Sequence, residues 1–306
     1  MRAIVLDHPG SFRVAEVPDP KPGPGQIVVK VEACGICGTD LHIMDGEFPP
    51  TPYPITPGHE FAGTVVESRA EARMHLPVGT RVAVDPSLYC GYCRRCRSGR
   101  DNLCENWAAI GDTVNGAFAE YVAVPAVNAH RLPADLDGQL GAMVEPLACA
   151  VHGMRRLGPV FGDTVVLTGA GTMGLLLLQL LLHAGAGPVT VVDRVADRLA
   201  VARKLGAAQV AADTSALEGE RFEIAVDATG VPAVIDAAAG ARGDLAVGAD
   251  YKVDERLADD GGKGRMCHLI PWPARTRFSA SPNISRGSGS LSSGRGSTAG
   301  LVCRLR

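Results

Sequence analysis

From Thr164 to Gly174 the chain reads TVVLTGAGTMG, and four leucines follow, Leu175 to Leu178. Thr164–Thr168 has the length and apolar character of a strand buried on both faces. The spacing Gly169-x-Gly171-x-x-Gly174 then opens a helical run, LLLLQLLLHAGA. Glycines at these positions permit a tight turn and let a pyrophosphate approach the backbone at a helix N-terminus. Nineteen residues after Gly174, Asp193 ends the run PVTVVD. A carboxylate there accepts hydrogen bonds from adenosine ribose hydroxyls and repels a 2′-phosphate, which predicts NAD rather than NADP. Arg194 beside it reads as solvated. The competing reading is that the glycines only turn the chain.

Further along, a helix around Ala196–Leu205, the run AQVAAD, then FEIAVDATG and PAVIDAAAG continue the alternation of strand and helix. That rhythm predicts βαβ units on a parallel sheet. Upstream, QIVVKVEA, FAGTVVES, TRVAVD and AEYVAVP are short Val-rich runs bounded by Gly, Pro or Asp, as expected of a barrel or sandwich. The expected organisation is a β domain over 1–155, a partial parallel-sheet NAD-binding domain over 156–242 and an atypical tail over 243–306. The tail contains PWPARTRFSASPNISRGSGSLSSGRGSTAG, and from Pro271 it holds six Arg and no Asp or Glu. Ser-, Gly- and Arg-rich sequence without apolar periodicity buries little, so disorder is expected there, with the sheet ending after four strands.

The 306 residues are 46% apolar and 21% charged, with a net charge of −3. Such a chain can bury a core, and it has no overall attraction for nucleic acid or anionic membranes. Its longest apolar run, Leu175 to Leu182, is interrupted by Gln179 and falls short of the ~20 residues of a membrane span. The opening MRAIVLDHPG is too short in apolar residues for a signal peptide. A cytoplasmic protein is expected.

Five of the nine cysteines lie between Cys90 and Cys149. Cys90-x2-Cys93-x2-Cys96-x7-Cys104 places four thiolates within fifteen residues, with Gly91 and Gly99 as turn formers. Four such ligands can enclose one Zn²⁺ and leave no open position, which makes the site structural. Arg94, Arg95, Arg97 and Arg100 interleave with them, but no aromatic face accompanies the arginines, and they read as solvated surface.

The remaining chemistry is dispersed: Cys37, the pair His59-Glu60, and Glu145. Cys34-Gly-Ile-Cys-Gly38-Thr-Asp-Leu-His42, Pro57-Gly-His-Glu-Phe61, the four-cysteine segment and the glycine turn occur in one order. That order resembles the zinc-dependent medium-chain alcohol dehydrogenases, from about Met1 to Gly240. Within the family, Val144-Glu-Pro-Leu-Ala-Cys-Ala-Val-His-Gly153 is similar to the polyol branch, the sorbitol and arabinitol dehydrogenases.

The resemblance implies a GroES-like β-barrel catalytic domain followed by a Rossmann sheet, with one catalytic and one structural zinc, and NAD. Cys37 and His59 would hold the catalytic metal, with Glu60 directly, or Glu145 directly or through water, as the third ligand. Cys34 would be packing. Thr39 would take the substrate proton and His42 pass it to solvent. A zinc that lowers the pKa of bound water to ~7, by about nine pH units, contributes about 12 kcal/mol, beyond what an imidazole relay supplies. Asp227–Gly230 would end a strand near the cofactor, unless it is a plain turn, and Trp107, Phe118 and Glu120 are candidates for the substrate side. His75, His130 and His183 read as structural or solvated.

The implied reaction is oxidation of a secondary hydroxyl of a polyol to a ketone. Threonine-type or simple-alcohol oxidation is the alternative enzyme reading. The unfamiliar sequence after Gly240, suggestive of an altered reading frame, supports a third: an inactive zinc-binding remnant. The partners implied are a small-molecule alcohol and further copies of the chain, as a homodimer or homotetramer.

Overall fold

The computed structural model describes residues 1–71, 74, 76–248, 266–268 and 302–303, with backbone alone from 242 onward. The first half contains β1 (Arg2–His8), β2 (Ser11–Glu16), β3 (Gln26–Gly35), α1 (Gly38–Asp45), β4 (Glu60–Ser68), β5 (Arg81–Val84) and β6 (Ser87–Leu88). It continues through α2 (Arg94–Arg97), β7 (Ala108–Ala109), β8 (Tyr121–Pro125), β9 (Ala129–Arg131) and α3 (Gly138–Ala142). Then come α4 (Val144–Leu157), β10 (Val165–Thr168), α5 (Thr172–His183), β11 (Val189–Val192), α6 (Ala196–Lys204), β12 (Gln209–Ala211) and β13 (Phe222–Asp227). Last are α7 (Pro232–Gly240), β14 (Arg242–Gly248), β15 (Met266–His268) and β16 (Val302–Cys303).

The first half is built on β3. It pairs antiparallel with β4 and with β8, while β5 bridges β4 and β9. Alternation in these strands sends Ile27, Val29, Val65, Val82, Val122 and Val124 into one core. At its far end β3 also pairs with β16, Cys34 opposite Cys303 and Gly35 opposite Val302.

In the second half the strand order is β12-β11-β10-β13-β14-β15, and every pairing is parallel. Relative to β10 as the first strand this is 3-2-1-4-5-6, the doubly wound order whose connections reverse between the first and fourth strands. The reversal falls between β10 and β13, so Gly169 and Asp227–Gly230 flank the crevice at the strand ends. Helix α5 buries Gly174, Leu177, Leu178 and Leu181, one face at helical spacing, over this sheet. Each fully buried leucine contributes ~1.5–3 kcal/mol.

The sequence suggested a sheet of four strands; beyond β13 the described residues add the backbone of β14 and β15. Leu245, Ala246 and Val247 align with Ile224, Ala225 and Val226, and β15 continues the sheet beyond β14. A three-residue apolar run among Gly and Asp suffices for a parallel pairing when a buried neighbour is already in place. The disorder expected for 243–306 otherwise falls outside the described residues, as does His75.

Helix α4 joins the two halves and spans the expected boundary at 155/156. It packs on α5, touches β4 and β5, and places Ala150 and Leu157 in the second core. Its N-terminal turn therefore carries Glu145 toward the first half. No helix among the described residues is long and apolar enough to cross a membrane.

Candidate active site

Cys37 precedes the first turn of α1, and His59 directly precedes β4, which Glu60 begins. Their ligand atoms converge, with Cys37, His59 and Glu60 all within 4.8 Å of one another. Glu60 leans over Gly35, where any Cβ would collide with its carboxylate. Burial pushes the Glu60 carboxyl up to about 7, and the buried His59 and the neighbouring Glu145 act on it as well. One sulfur, one imidazole nitrogen and one carboxylate oxygen form a donor set suited to Zn²⁺, with two formal negative charges to balance it.

The Nδ1 face of His59 is turned toward two carboxylates. Asp112 Oδ1 lies 3.1 Å from it and Asp40 Oδ1 3.6 Å. Burial alone would lower the imidazole pKa, but these two carboxylates overcome it and raise it. With Nδ1 facing carboxylates, Nε2 is the nitrogen left for a metal. Asp40 also accepts the Cys37 N–H at 2.8 Å and the Gly58 N–H at 3.2 Å, so one side chain ties both ligand-bearing segments together.

Glu145 lies outside the three-residue cluster. It is held by the Cys149 thiol, which donates to Oε1 at 3.4 Å, and burial raises its pKa. Cys34 is buried and also outside the cluster; burial drives its thiol well above the usual range. Thr39 Oγ1 is 3.7 Å from Cys37 Sγ. His42 is exposed, with Nδ1 2.8 Å from Glu47 Oε2.

Cys90, Cys93, Cys96 and Cys104 form the second cluster. Sulfur separations are 3.5 Å (Cys93–Cys96), 3.6 Å (Cys90–Cys104) and 4.0 Å (Cys90–Cys96). A tetrahedron with Zn–S bonds of ~2.3 Å has edges of about 3.8 Å, so the spacing fits one zinc. Amide N–H groups of Cys90, Cys93, Cys96 and Asn106 point at the sulfurs at 3.3–3.5 Å. Burial opposes ionisation of Cys90, but hydrogen bonds from the Asn106 side chain and nearby amides bring it down to about 6. Burial pushes Cys96 up to about 12. Gly91 and Gly99 have φ of 74° and 70°, the left-handed turns that fold the segment back on itself.

At the glycine turn, Gly169 has φ of 94°. A Cβ on Gly174 would overlap the Gly169 carbonyl, whereas one on Gly171 would meet nothing within 4 Å. Gly174 is needed for packing, and Gly171 leaves an open approach to the start of α5, which fits a pyrophosphate. Asp193 accepts the Ala170 N–H at 2.7 Å and the Val195 N–H at 2.8 Å, and lies 3.7 Å from Arg198. Two carboxylate oxygens offer about four acceptor positions, so capacity for a ribose hydroxyl remains. Asp227 sits at the crevice but is occupied by Thr168, Thr229 and Gly230.

Residues 23–134 match the family model of the alcohol dehydrogenase GroES-like domain. Over 248 residues the chain is 39% identical to L-threonine 3-dehydrogenase of Streptomyces avermitilis, covering 76% of this chain and 71% of that protein. The chain belongs to the zinc-dependent medium-chain alcohol dehydrogenases. A zinc-binding dehydrogenase from Sinorhizobium meliloti 1021, solved bound to NADP, superposes with a TM-score of 0.77 at 35% identity, covering 91% of this chain and 79% of that one. Galactitol-1-phosphate dehydrogenase from Escherichia coli gives 0.73 at 29%, covering 90% and 78%. The polyol branch expected from the sequence is therefore not singled out.

As a member of this family, the dehydrogenase is a zinc-binding oxidoreductase that uses a nicotinamide cofactor. The three residues expected on the substrate side make the following contacts. Glu120 binds the Arg2 backbone and guanidinium, Phe118 packs beneath Gly58, and Trp107 packs against the cysteine segment. Asp40 and Asp112 were not singled out from the sequence. Asp40 stands three residues after Cys37, a spacing suited to an acid reaching back to the residue before a helix. Asp112 has no local signature.

Proposed function

We propose that this dehydrogenase oxidises a secondary alcohol whose neighbouring carbon carries a second polar group, with hydride passing to NAD. The convergence of Cys37, His59 and Glu60 is the observation that carries this reading. Zinc held there supplies Lewis acidity that lowers the hydroxyl pKa, and NAD at the glycine turn supplies the hydride acceptor. Thr39, beside Cys37 at the start of α1, receives the hydroxyl proton. His42, exposed one turn later and oriented by Glu47, delivers it to solvent. Asp193 receives the ribose hydroxyls.

Two substrates have specific support. The 39% identity to an L-threonine 3-dehydrogenase favours L-threonine, in which the oxidised hydroxyl neighbours an amine. The Val144–Gly153 segment and the likeness to galactitol-1-phosphate dehydrogenase favour a polyol, in which it neighbours another hydroxyl. The L-threonine reading rests on the higher identity and comes first.

The test is NADH formation by purified protein with L-threonine, sorbitol, arabinitol, ribitol and ethanol, with and without a zinc chelator. Chelator-sensitive turnover of L-threonine or a polyol, with ethanol poor, is the expected result. Preference for ethanol would overturn the requirement for a second polar group. Zinc-loaded protein that turns over nothing would be the inactive remnant.

A further inference from the structure

Asp40 and Asp112 approach the same nitrogen of His59, but they are not equivalent. Asp40 is the more distant, at 3.6 Å, and its two oxygens already accept the amide hydrogens of Cys37 and Gly58. Asp112 is the nearer, at 3.1 Å, and its Oδ1 and the His59 Nδ1 it faces are both buried with no hydrogen-bond partner elsewhere among the described residues. Burying a carboxylate without a partner is strongly unfavourable, so its placement needs a compensating interaction.

The backbone around Asp112 is built to bring it there. Gly116, Ala117 and Phe118 donate to Thr56, Gly58 and Pro57, while Asn115 accepts from the Thr56 amide. Thr51 Oγ1 donates to the Asp112 carbonyl at 2.8 Å. Gly58, Gly111 and Gly116 meet so closely that a Cβ on either Gly111 or Gly116 would collide with the Gly58 backbone. These contacts clamp residues 109–118 onto the strand entry that bears His59 and Glu60.

We infer that Asp112 is a dedicated positioning residue for His59: its carboxylate holds the ring by Nδ1 and keeps Nε2 directed at the metal position shared with Cys37 and Glu60. This rests on the assignment of those three residues as zinc ligands. Carboxylates behind a metal-bound imidazole fix its tautomer and orientation and raise its basicity, and losing one typically costs 10–100-fold in metal affinity. Asp40 holds the two ligand segments together, and Asp112 stands against the imidazole.

The four-cysteine zinc serves as an internal control. Zinc content is measured across a graded chelator series for wild type, Asp112→Asn, and Thr51→Val, which removes a clamp on the same loop but keeps the carboxylate. In Asp112→Asn the second zinc should leave at ~10–100-fold lower chelator, with the four-cysteine zinc unmoved, and Thr51→Val should stay near wild type. Three outcomes overturn the role: an unchanged curve for Asp112→Asn, loss of both zincs together, or equal loss in Thr51→Val. A wild type that holds only the four-cysteine zinc would instead refute the ligand assignment itself, and the role of Asp112 with it.

Discussion

Gly174 lies against Gly169 so closely that a Cβ on the first would overlap the carbonyl oxygen of the second. The strand β10 and helix α5 can therefore meet only through two bare backbones. Gly171, between them, faces open space. The same motif thus contains one glycine required for packing and one that leaves room for a ligand.

Gly174→Ala should destabilise the protein by ~1–3 kcal/mol, the usual cost of overpacking, and lower its melting temperature. Gly171→Ala should leave the melting temperature close to wild type and weaken NADH binding. Thermal melts with and without NADH separate the two effects. Equal melting temperatures for the two variants would show that the close approach at Gly174 is unimportant.

Asp193→Ser should lower the preference for NAD over NADP by at least tenfold. A hydrogen bond to a charged group contributes ~1.5–3 kcal/mol, and removing the charge relieves repulsion of a 2′-phosphate. The ratio of kcat/KM for the two cofactors is the readout. An unchanged ratio would move cofactor choice to another residue.

Zinc uptake by the metal-free four-cysteine segment should strengthen with pH. Cys96, pushed up to about 12, is protonated at neutral pH and must release its proton on binding. Cys90, at about 6, is already a thiolate above that value and adds a second proton only below it. Affinity should thus rise by at least ~tenfold per pH unit above 6 and more steeply below, because each thiol that must release a proton contributes one unit of slope. Competition with a zinc indicator across pH 5 to 8 measures this, and a flat profile would refute it.

Glu60→Gln should deplete the second zinc far more than Glu145→Gln. Glu60 belongs to the compact cluster with Cys37 and His59, whereas Glu145 is outside it and bonded to Cys149. Zinc analysis after dialysis against chelator distinguishes them. Greater depletion in Glu145→Gln would make Glu145 the direct ligand.

The four-cysteine segment and the glycine turn could be read without coordinates because their parts are close in the chain. Fifteen residues with two left-handed glycines can only fold back on themselves, and Gly169, Gly171 and Gly174 share one turn and the helix it opens. Cys37, His59 and Glu60 were legible as candidates, since each sits in a distinctive short segment. Their convergence depends on where α1 leaves β3 and where β4 begins, and no local spacing encodes that distance.

Asp112 shows the other limit. It lies fifty-three residues beyond His59, in a loop without periodicity, and reaches the imidazole only because three glycines let two backbones touch. The strand β14 is similar: Leu245, Ala246 and Val247 are too few to announce a strand, yet β13 offers them a ready edge. Composition and local motif thus determined the chemistry this chain can carry, since ligand type and turn geometry are properties of short segments. Tertiary structure decided which carboxylate joins the cluster, which one stands behind the histidine, and where β14 pairs, because those depend on contacts between residues remote in sequence.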